Sequence, residues 1–500
     1  MKKVLLIFPN TANRPFITAA IPILAGIAKE KCWECSYFDT SNYQKESDSI
    51  EDKEKFGFFM NHSIDFRTGF KSFSDITKDL QSLIDNFKPN LIAITAMTCD
   101  YEFLMTWWRE IDTKGAISTI GGFHATVAHT EIEKEKLFDI ICIGQGESVF
   151  CDILDNIDSG TECFSNIDGV SVYNKKDKIY SVGKKKKLLS PELLWKIKTD
   201  YSLFDQSYFR FPFDGKTMNL FQIDAGRGCP YSCSYCGNNS LRQHYKGLGK
   251  YVCTRPMEST FSVMRQMLVD RQVDIFSFTD ECFLARSSSW IRVFFEKYKN
   301  EICKPFIMQT RAETITNETL DILSSVGVIF FQIGLGVESG SVRILEKICN
   351  RMIKPDEIIR AYDLMHTYPN IRTNAYFMLG FPTETREEIW MTINLCKRIK
   401  SKVNSASIYQ PFPGQTLREK CIELGYIKGN ERMESFTGKS VLKQPHITSE
   451  EISGLWRTFI LYAKLPESFY PDIEKCEKTY NKEMFDKLIA LRWNIEKTGS

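Results

Sequence analysis

Three cysteines, Cys229, Cys233 and Cys236, fall inside GRGCPYSCSYCGNN at residues 226–239, with Tyr235 just before the last of them. Thiolates are ligands for zinc and for iron–sulfur clusters. Four of them close a tetrahedral structural zinc site. Here no fourth cysteine or zinc-ligand pair lies close by, and His244 and Cys253 follow at irregular spacing. Three thiolates on a four-iron cluster leave one iron with an open position that a substrate-like ligand can take. The triplet therefore reads as an iron–sulfur site, weighed against a zinc ribbon or incidental cysteines.

The flanking pattern says what holds this loop. From Leu220 onward, apolar runs alternate with amphipathic stretches. The runs predict strands at Phe221–Ala225, Ile275–Thr279, Phe306–Thr310, Ile329–Leu335, Thr373–Leu379 and Ala406–Pro411. The helices predicted between and after them are Ser259–Asp270, Trp290–Tyr298, Asn317–Val326, Ser341–Ile348, Pro355–His366 and Arg386–Ile399. Six such units in residues 219–425 predict a partial (β/α)6 barrel, since a closed eight-unit barrel takes about 250 residues. The cysteines follow the first strand, on the barrel face where such folds place their chemistry. Residues 1–155 alternate in the same way, with strands at Val4–Phe8, Glu34–Phe38, Leu91–Thr95, Ile117–Gly121 and Ile140–Ile143. Helices fit Pro22–Lys31, Asp75–Phe87, Tyr101–Thr113 and Val149–Ile157. That predicts a doubly wound parallel sheet, so the fold class is α/β throughout. Residues 46–74 lack periodicity and read as an excursion, 156–218 as a connector, and 426–500 as a helical C-terminal region.

Composition narrows the classes. The chain has 500 residues, a net charge of +2 and 26% charged residues. Neither a nucleic-acid partner nor disorder is indicated. No apolar run reaches the length of a membrane span, and MKKVLLIFPN reads as a first strand rather than a leader. Sixteen cysteines without regular pairing fit a reducing, cytoplasmic setting. CWEC at 32–35 lies between a helix and a strand, which favours burial over a redox role.

CxxxCxxC with an aromatic before its last cysteine resembles the cluster motif of the radical S-adenosylmethionine (radical SAM) superfamily. FSFTDECFL (276–284), FIMQTRAE (306–313), FFQIGLGVESGS (330–341), NAYFMLGFPTET (374–385) and YQPFPGQTL (409–417) resemble its later strands and loops in order. The resemblance implies a 4Fe-4S cluster on Cys229, Cys233 and Cys236, with SAM on the open iron. Reduction would cleave SAM to a 5′-deoxyadenosyl radical. It implies SAM contacts at Tyr235, Asp280, Glu281, Arg311, Glu338 and Met378. For Asp280, Glu281, Arg311 and Glu338 a structural ion pair is the alternative.

Upstream, TAMTCDY (95–101), STIGGFHATVAH (118–129) and CIGQGES (142–148) resemble the Rossmann-like cobalamin-binding domain of the B12-dependent radical SAM subfamily. The contacts this implies are Thr95, Thr98, Gly121, Gly122, His124, Ala125, Thr126, Gly144, Gly146 and Glu147. Two departures stand out. No DxHxxG motif occurs, so no histidine from that motif would ligate cobalt, and Gln145 stands where relatives often have glutamate. The expected activity is cobalamin-dependent radical SAM methyl transfer to an unactivated carbon. The alternatives are a cobalamin-dependent cyclase or oxidoreductase, a radical SAM enzyme whose B12 domain is degenerate, and a non-catalytic metal-binding module. The partners expected are a small-molecule or peptide substrate and an electron donor such as flavodoxin or ferredoxin.

Overall fold

The computed structural model describes residues 1–10, 16–44, 71–161, 163–213, 216–431, 433 and 439–498. Its first sheet contains β1 (Lys3–Phe8), β2 (Glu34–Asp39), β3 (Leu91–Thr95), β4 (Ile117–Gly121) and β5 (Ile140–Cys142). These five are parallel and lie in the order β2-β1-β3-β4-β5. That is the flavodoxin-like doubly wound order, with its switch point between β1 and β3. A sheet covered on both faces needs apolar residues on both. Accordingly Leu5 and Ile7 pack with Ile76, Leu80 and Ile84 of helix Asp75–Phe87. Val4, Leu6 and Phe8 pack on the opposite face with Ile21, Ala25 and Ala28.

The stretch expected as a connector contributes to both sheets. β6 (Val170–Asn174) and β7 (Ile179–Val182) form a hairpin added antiparallel to β5. β8 (Arg210–Phe213) pairs antiparallel with β9 (Lys216–Ile223) of the second sheet. Beyond β9 come β10 (Ile275–Phe278), β11 (Phe306–Thr310), β12 (Phe331–Glu338), β13 (Ile371–Leu379) and β14 (Val403–Ile408). β9 to β14 are six parallel strands in sequential order. This is the open partial barrel that six units predict.

An open sheet leaves edge carbonyls exposed to stray pairing. On β14 the C-terminal helix Ser449–Lys464 covers that edge: the Trp456 indole donates to the Ala406 carbonyl at 2.8 Å, and Lys464 reaches the Ser401 carbonyl at 3.0 Å. Most of the expected excursion at 46–74 lies outside the described residues. Within it, Lys71–Ser72 pairs with Tyr43–Gln44.

Several predicted elements shift, the sixth barrel strand from Ala406–Pro411 to Val403–Ile408 among them. The helix expected over Tyr101–Thr113 is Thr98–Leu104 followed by a separate turn at Trp108–Glu110. Trp107 and Trp108 are buried, and Trp108 stacks on Phe138 at 5.6 Å; seating two adjacent indoles inward breaks the helical period. The first barrel strand ends at Ile223, not Ala225, because Gly226–Arg227 turns away to pair with Cys253–Thr254. The strand expected at Ile329–Leu335 runs from Phe331 to Glu338. Ile329 is exposed at the strand's approach, whereas Gly334 and Gly336 lie inside the strand although glycine is a poor strand former.

Candidate functional site

The cysteine loop follows β9 and is tied down at many points. Arg242, on helix Gly237–His244, donates to the carbonyls of Cys229, at 2.7 Å, and Tyr231. Ser234 N–H donates to the Cys349 carbonyl at 3.1 Å, and Asn350 donates to the Ser232 carbonyl at 2.9 Å. The three thiols are half-buried and free of disulfides. Cys236 lies within electrostatic range of both Cys229 and Cys233. Burial pushes the Cys229 and Cys236 thiols up, so thiolates there need a cationic partner. Two N–H groups already face the sulfurs: Arg311 Nη1 at 3.3 Å from Cys233, and Asn238 Nδ2 at 3.8 Å from Cys236. Hydrogen bonds to sulfur tune an iron–sulfur centre. Among the described residues no set of three His, Cys, Asp or Glu side chains converges on a single ion. Three soft donors on one immobilised loop fit a multi-iron cluster, in which each thiolate takes its own iron.

Beside the loop, Tyr235, Glu338 and Arg351 form a buried set. Glu338 ends β12 at φ +66°, where the ladder register slips between Gly336 and Glu338. A residue with a Cβ rarely adopts this left-handed backbone, and such strain clusters at functional sites. Glu338 accepts from Arg351 at 3.1 Å and from the Tyr235 hydroxyl. Burial raises its carboxyl, while Arg351 pulls the other way. Arg351 is 2% exposed, and its Nε and Nη2 have no hydrogen-bond partner among the described residues. Two buried guanidinium donors left open are expensive, so this is the clearest vacancy for an anionic ligand group. Sequence reading missed Arg351. Its signal is faint: one arginine closing the apolar run ILEKICNRM. It is aimed inward by a wide turn at Ile344–Ile348, where Cys349 N–H bonds the Ile344 carbonyl at 2.8 Å.

The remaining SAM candidates divide. Asp280 is committed within the protein: Oδ2 accepts from Ala225 N–H at 2.8 Å, and Oδ1 pairs with Arg286. Glu281 is exposed, and its charge is felt at Cys229 and Tyr251. Arg311 lies 3.9 Å over the Tyr231 ring and pairs with Glu313 while facing Cys233. Met378 and Tyr235 border one apolar cluster containing Phe381 and Tyr409. Glu384, also missed, is fully buried behind it. Its Oε2 accepts from the N–H groups of Gly380 and Phe381 at 2.6 and 3.1 Å, and burial raises its pKa to about 8.

The N-terminal candidates come together at the carboxyl ends of β3, β4 and β5. Thr95 lies opposite Gly121 in the ladder. The Thr126 hydroxyl donates to the Gly122 carbonyl at 2.9 Å and accepts from Gly144 N–H at 3.1 Å, joining two of the loops. Ala125 is fully buried beside it. His124 is enclosed: it is 1% exposed, stacks on Tyr101 at 4.2 Å and bonds Thr98 at 3.3 Å, and burial lowers its pKa to about 4. Its ring is a core contact and offers no nitrogen to solvent. Gly122, at φ +99°, abuts the Ala96 backbone: an added Cβ would lie 2.7 Å from the Ala96 carbonyl oxygen. Its bare Cα is needed for chain packing. Gly146 differs, because an added Cβ there meets nothing within 4 Å. Glu147 reaches across to pair with Arg227, next to the cysteine loop.

These loops close directly on the cysteine end. A Cβ at Gly237, the residue after Cys236, would lie 2.6 Å from the Phe123 ring. Gly144 lies against the side chains of Tyr245 and His244. The Gln145 side chain accepts from Leu189 N–H at 2.8 Å, pinning the connecting segment.

Residues 223–396 match the Radical SAM superfamily. An uncharacterized methyltransferase of Pyrococcus horikoshii is 25% identical over 80% of this chain and 84% of its own length. The anaerobic magnesium-protoporphyrin IX monomethyl ester cyclase of Rubrivivax gelatinosus is 21% identical over 83% and 75%. The radical SAM methyltransferase TsrM of Kitasatospora setae, solved with cobalamin and a 4Fe-4S cluster, superposes with a TM-score of 0.61 at 15% identity, covering 100% of this chain and 99% of that one. At that identity the likeness establishes a shared fold. TsrM has also been solved with a tryptophan substrate and a SAM analogue. No helix among the described residues is long and apolar enough to cross a membrane. The part of the chain that carries the match to the Radical SAM superfamily, residues 223–396, is the part that holds Cys229, Cys233 and Cys236.

Proposed function

We propose that the protein is a cobalamin-dependent radical SAM methyltransferase acting on an unactivated carbon of a small molecule. The observation that carries this reading is the closure of the N-terminal loops onto the cysteine loop, with Phe123 against Gly237 and Glu147 paired to Arg227. When bound, the cluster supplies the electron that cleaves SAM, and cobalamin carries the methyl group. Everything else falls to the chain. Cys229, Cys233 and Cys236 hold the cluster, and Arg311 and Asn238 donate to its thiolates. Arg351 offers its two open N–H groups to the SAM carboxylate, a match of guanidinium to carboxylate. Glu338 accepts from the ribose or ammonium, with Glu281 at the open side. Tyr235 and Met378 provide the apolar seat for adenine. Thr95, Thr98, Gly121, Thr126, Gly144 and Gly146 border the cobalamin site at the strand ends, where doubly wound sheets bind ligands.

His124, stacked on Tyr101 and bonded to Thr98, would serve as packing behind the cobalamin contacts. A reduced flavodoxin or ferredoxin is the electron source. The likeness to the Rubrivivax cyclase favours a second reading, oxidative ring closure with the same cofactors. Anaerobic reconstitution with iron, sulfide and hydroxocobalamin, followed by metal and corrinoid quantification, tests the cofactor set. Methyl-deuterated SAM then separates the two readings. Label appearing in the product supports methyl transfer, and unlabelled product with loss of hydrogen supports cyclisation.

A further inference from the structure

In the proposed reaction the electron that cleaves SAM enters from outside the chain, and one face of the molecule leads to the cysteine loop. The segment after β7 carries the run Lys184–Lys187. It lies alongside the loop at residues 245–250. Leu188 N–H donates to the Leu248 carbonyl at 2.8 Å, and a Cβ at Gly249 would lie 2.9 Å from that of Leu188. Lys185 is within electrostatic range of His244, and Lys250 is within range of Glu192. The two segments therefore share one surface. Lys184, Lys185, Lys187, Lys246 and Lys250 are exposed on it. Among the described residues none of these five is in an ion pair, whereas Lys186 is held by Asp152. The whole chain has a net charge of +2, so five unpaired cations on two touching segments are a local concentration of positive charge.

Two further features say what this face is for. Large apolar side chains stand beside the lysines: Leu193, next to Glu192, is 54% exposed, and Val252, two residues after Lys250, is 38% exposed. Apolar side chains bordered by charge are the anatomy of a protein–protein interface, in which the charges steer the encounter and select the partner's sign. Behind the face, a bonded path runs to the thiols. The buried Tyr245 lies nearly parallel to Tyr251, with 5.8 Å between ring centres. The Tyr251 hydroxyl donates to Asn238 Oδ1 at 2.6 Å, and Asn238 Nδ2 donates to the Cys236 sulfur at 3.8 Å. The Tyr251 carbonyl also abuts the residue before Cys229, since a Cβ at Gly228 would lie 2.6 Å from its oxygen. Electrons tunnel more readily through packed, hydrogen-bonded groups than across solvent, so this face is electronically joined to the cysteine loop.

We propose that this basic face is the docking site of a small acidic one-electron carrier protein, which reduces the cluster by way of Tyr251, Asn238 and Cys236. One electron leaves the carrier and one arrives at the cluster; no bond forms or breaks, and no proton moves. The docking surface and the sign of its partner rest on this geometry alone. Only the destination of the electron rests on the proposed activity.

The first test needs neither cluster nor SAM, so its failure is distinct from failure of the methyltransferase reading. The full-length chain is titrated with an oxidised flavodoxin, a 2Fe-2S ferredoxin and, as a polyanion that is not a protein, a single-stranded RNA oligonucleotide. A carrier should bind at low salt and weaken as salt is raised, because screening limits surface charges to a reach of about 10 Å at 0.1 M. The double variant Lys185→Glu, Lys250→Glu should weaken carrier binding by about tenfold or more at low salt. Lys475→Glu, on helix Tyr470–Lys478, should leave it unchanged. In the reconstituted enzyme, the double variant should lose SAM cleavage driven by the carrier by a similar factor, while cleavage driven by titanium(III) citrate holds at the parental rate. No carrier binding at low salt, binding indifferent to the double variant, RNA that binds more tightly than either carrier, or equal loss with both reductants would each overturn the proposal. Absence of SAM cleavage with either reductant in the parent would overturn the destination of the electron, and with it the radical SAM reading, while the binding result stands for the surface.

Discussion

The two ends that face one another in this molecule are built on opposite principles. The N-terminal loops carry few charges and largely satisfy one another, with only the buried His124 Nε2 among their site groups left open. Thr126 bridges Gly122 and Gly144, Thr98 holds His124, Asp100 accepts from Met97 N–H, and Glu147 is paired with Arg227. The cysteine end keeps charges and donors in reserve: three free thiols, two open N–H groups on Arg351, and a strained Glu338. The first end resembles a surface already shaped to receive a large ligand by contact. The second resembles a site that is electrostatically incomplete until its cofactors bind. Preorganised, unsatisfied groups cost stability and are retained where binding or chemistry repays them.

The sharpest challenge to that contrast is removal of a thiol. Cys233→Ala should abolish formation of 5′-deoxyadenosine from SAM, with the circular dichroism spectrum and corrinoid retention unchanged. Parental SAM cleavage in this variant would remove the cysteine loop from the mechanism.

Paired glycine substitutions probe the opposite end. Gly122→Val drives a branched side chain into the Ala96 backbone and should lose both cooperative unfolding of the N-terminal sheet and bound corrinoid. Gly146→Val enters open space and should lose corrinoid alone, with Tm nearly unchanged. If Gly146→Val keeps a full equivalent of corrinoid, the ligand does not approach the start of that helix.

A smaller effect is expected from Glu338→Gln. Removing the charge should weaken SAM binding by about 1.5–3 kcal/mol, the range for a hydrogen bond to a charged group. Equilibrium dialysis with SAM measures it, and unchanged affinity would leave Glu338 as a support for Arg351.

A comparable change is a stability difference that depends on pH. Burial raises the Glu384 pKa from 4.5 to about 8, so the folded state holds a proton that the unfolded state releases. Its contribution is complete below pH 4.5 and is lost as pH rises through 8. Glu384→Gln keeps an acceptor for Gly380 and Phe381 without that dependence. Its unfolding free energy should gain on the parent between pH 5 and 8, by on the order of 2–3 kcal/mol. Parallel urea midpoints across that range would show that Glu384 is ionised in the fold.

Much of this was legible in the chain itself. The apolar runs of β1 and β3 mark their own strands, because a strand buried on both faces must be apolar nearly throughout. Helices Asp75–Phe87 and Arg386–Ile399 fall where their periodicity puts them, the second with Thr385 and Glu388 capping its start. The spacing of Cys229, Cys233 and Cys236 carries the chemistry because all three ligands lie on one short loop. Local order is enough to bring them together.

What depends on contacts across long sequence separations had to wait for the tertiary structure. Gly334 and Gly336 sit inside β12 because Tyr376 and Glu338 occupy the space their side chains would fill. Arg351 draws no reading from the sequence, and a wide turn brings it under Glu338; Asp280 is open there to a SAM contact or an ion pair, and its oxygens pair with Ala225 N–H and Arg286. Gly122 is expected as a cobalamin contact, and the structure adds that Ala96 leaves no room for a side chain there. The sequence determined which residues are able to do chemistry, because ligand type and local spacing are properties of the chain. The fold decided which of them are free to do it, because a buried polar group is available to a ligand only when no distant part of the chain has already satisfied it.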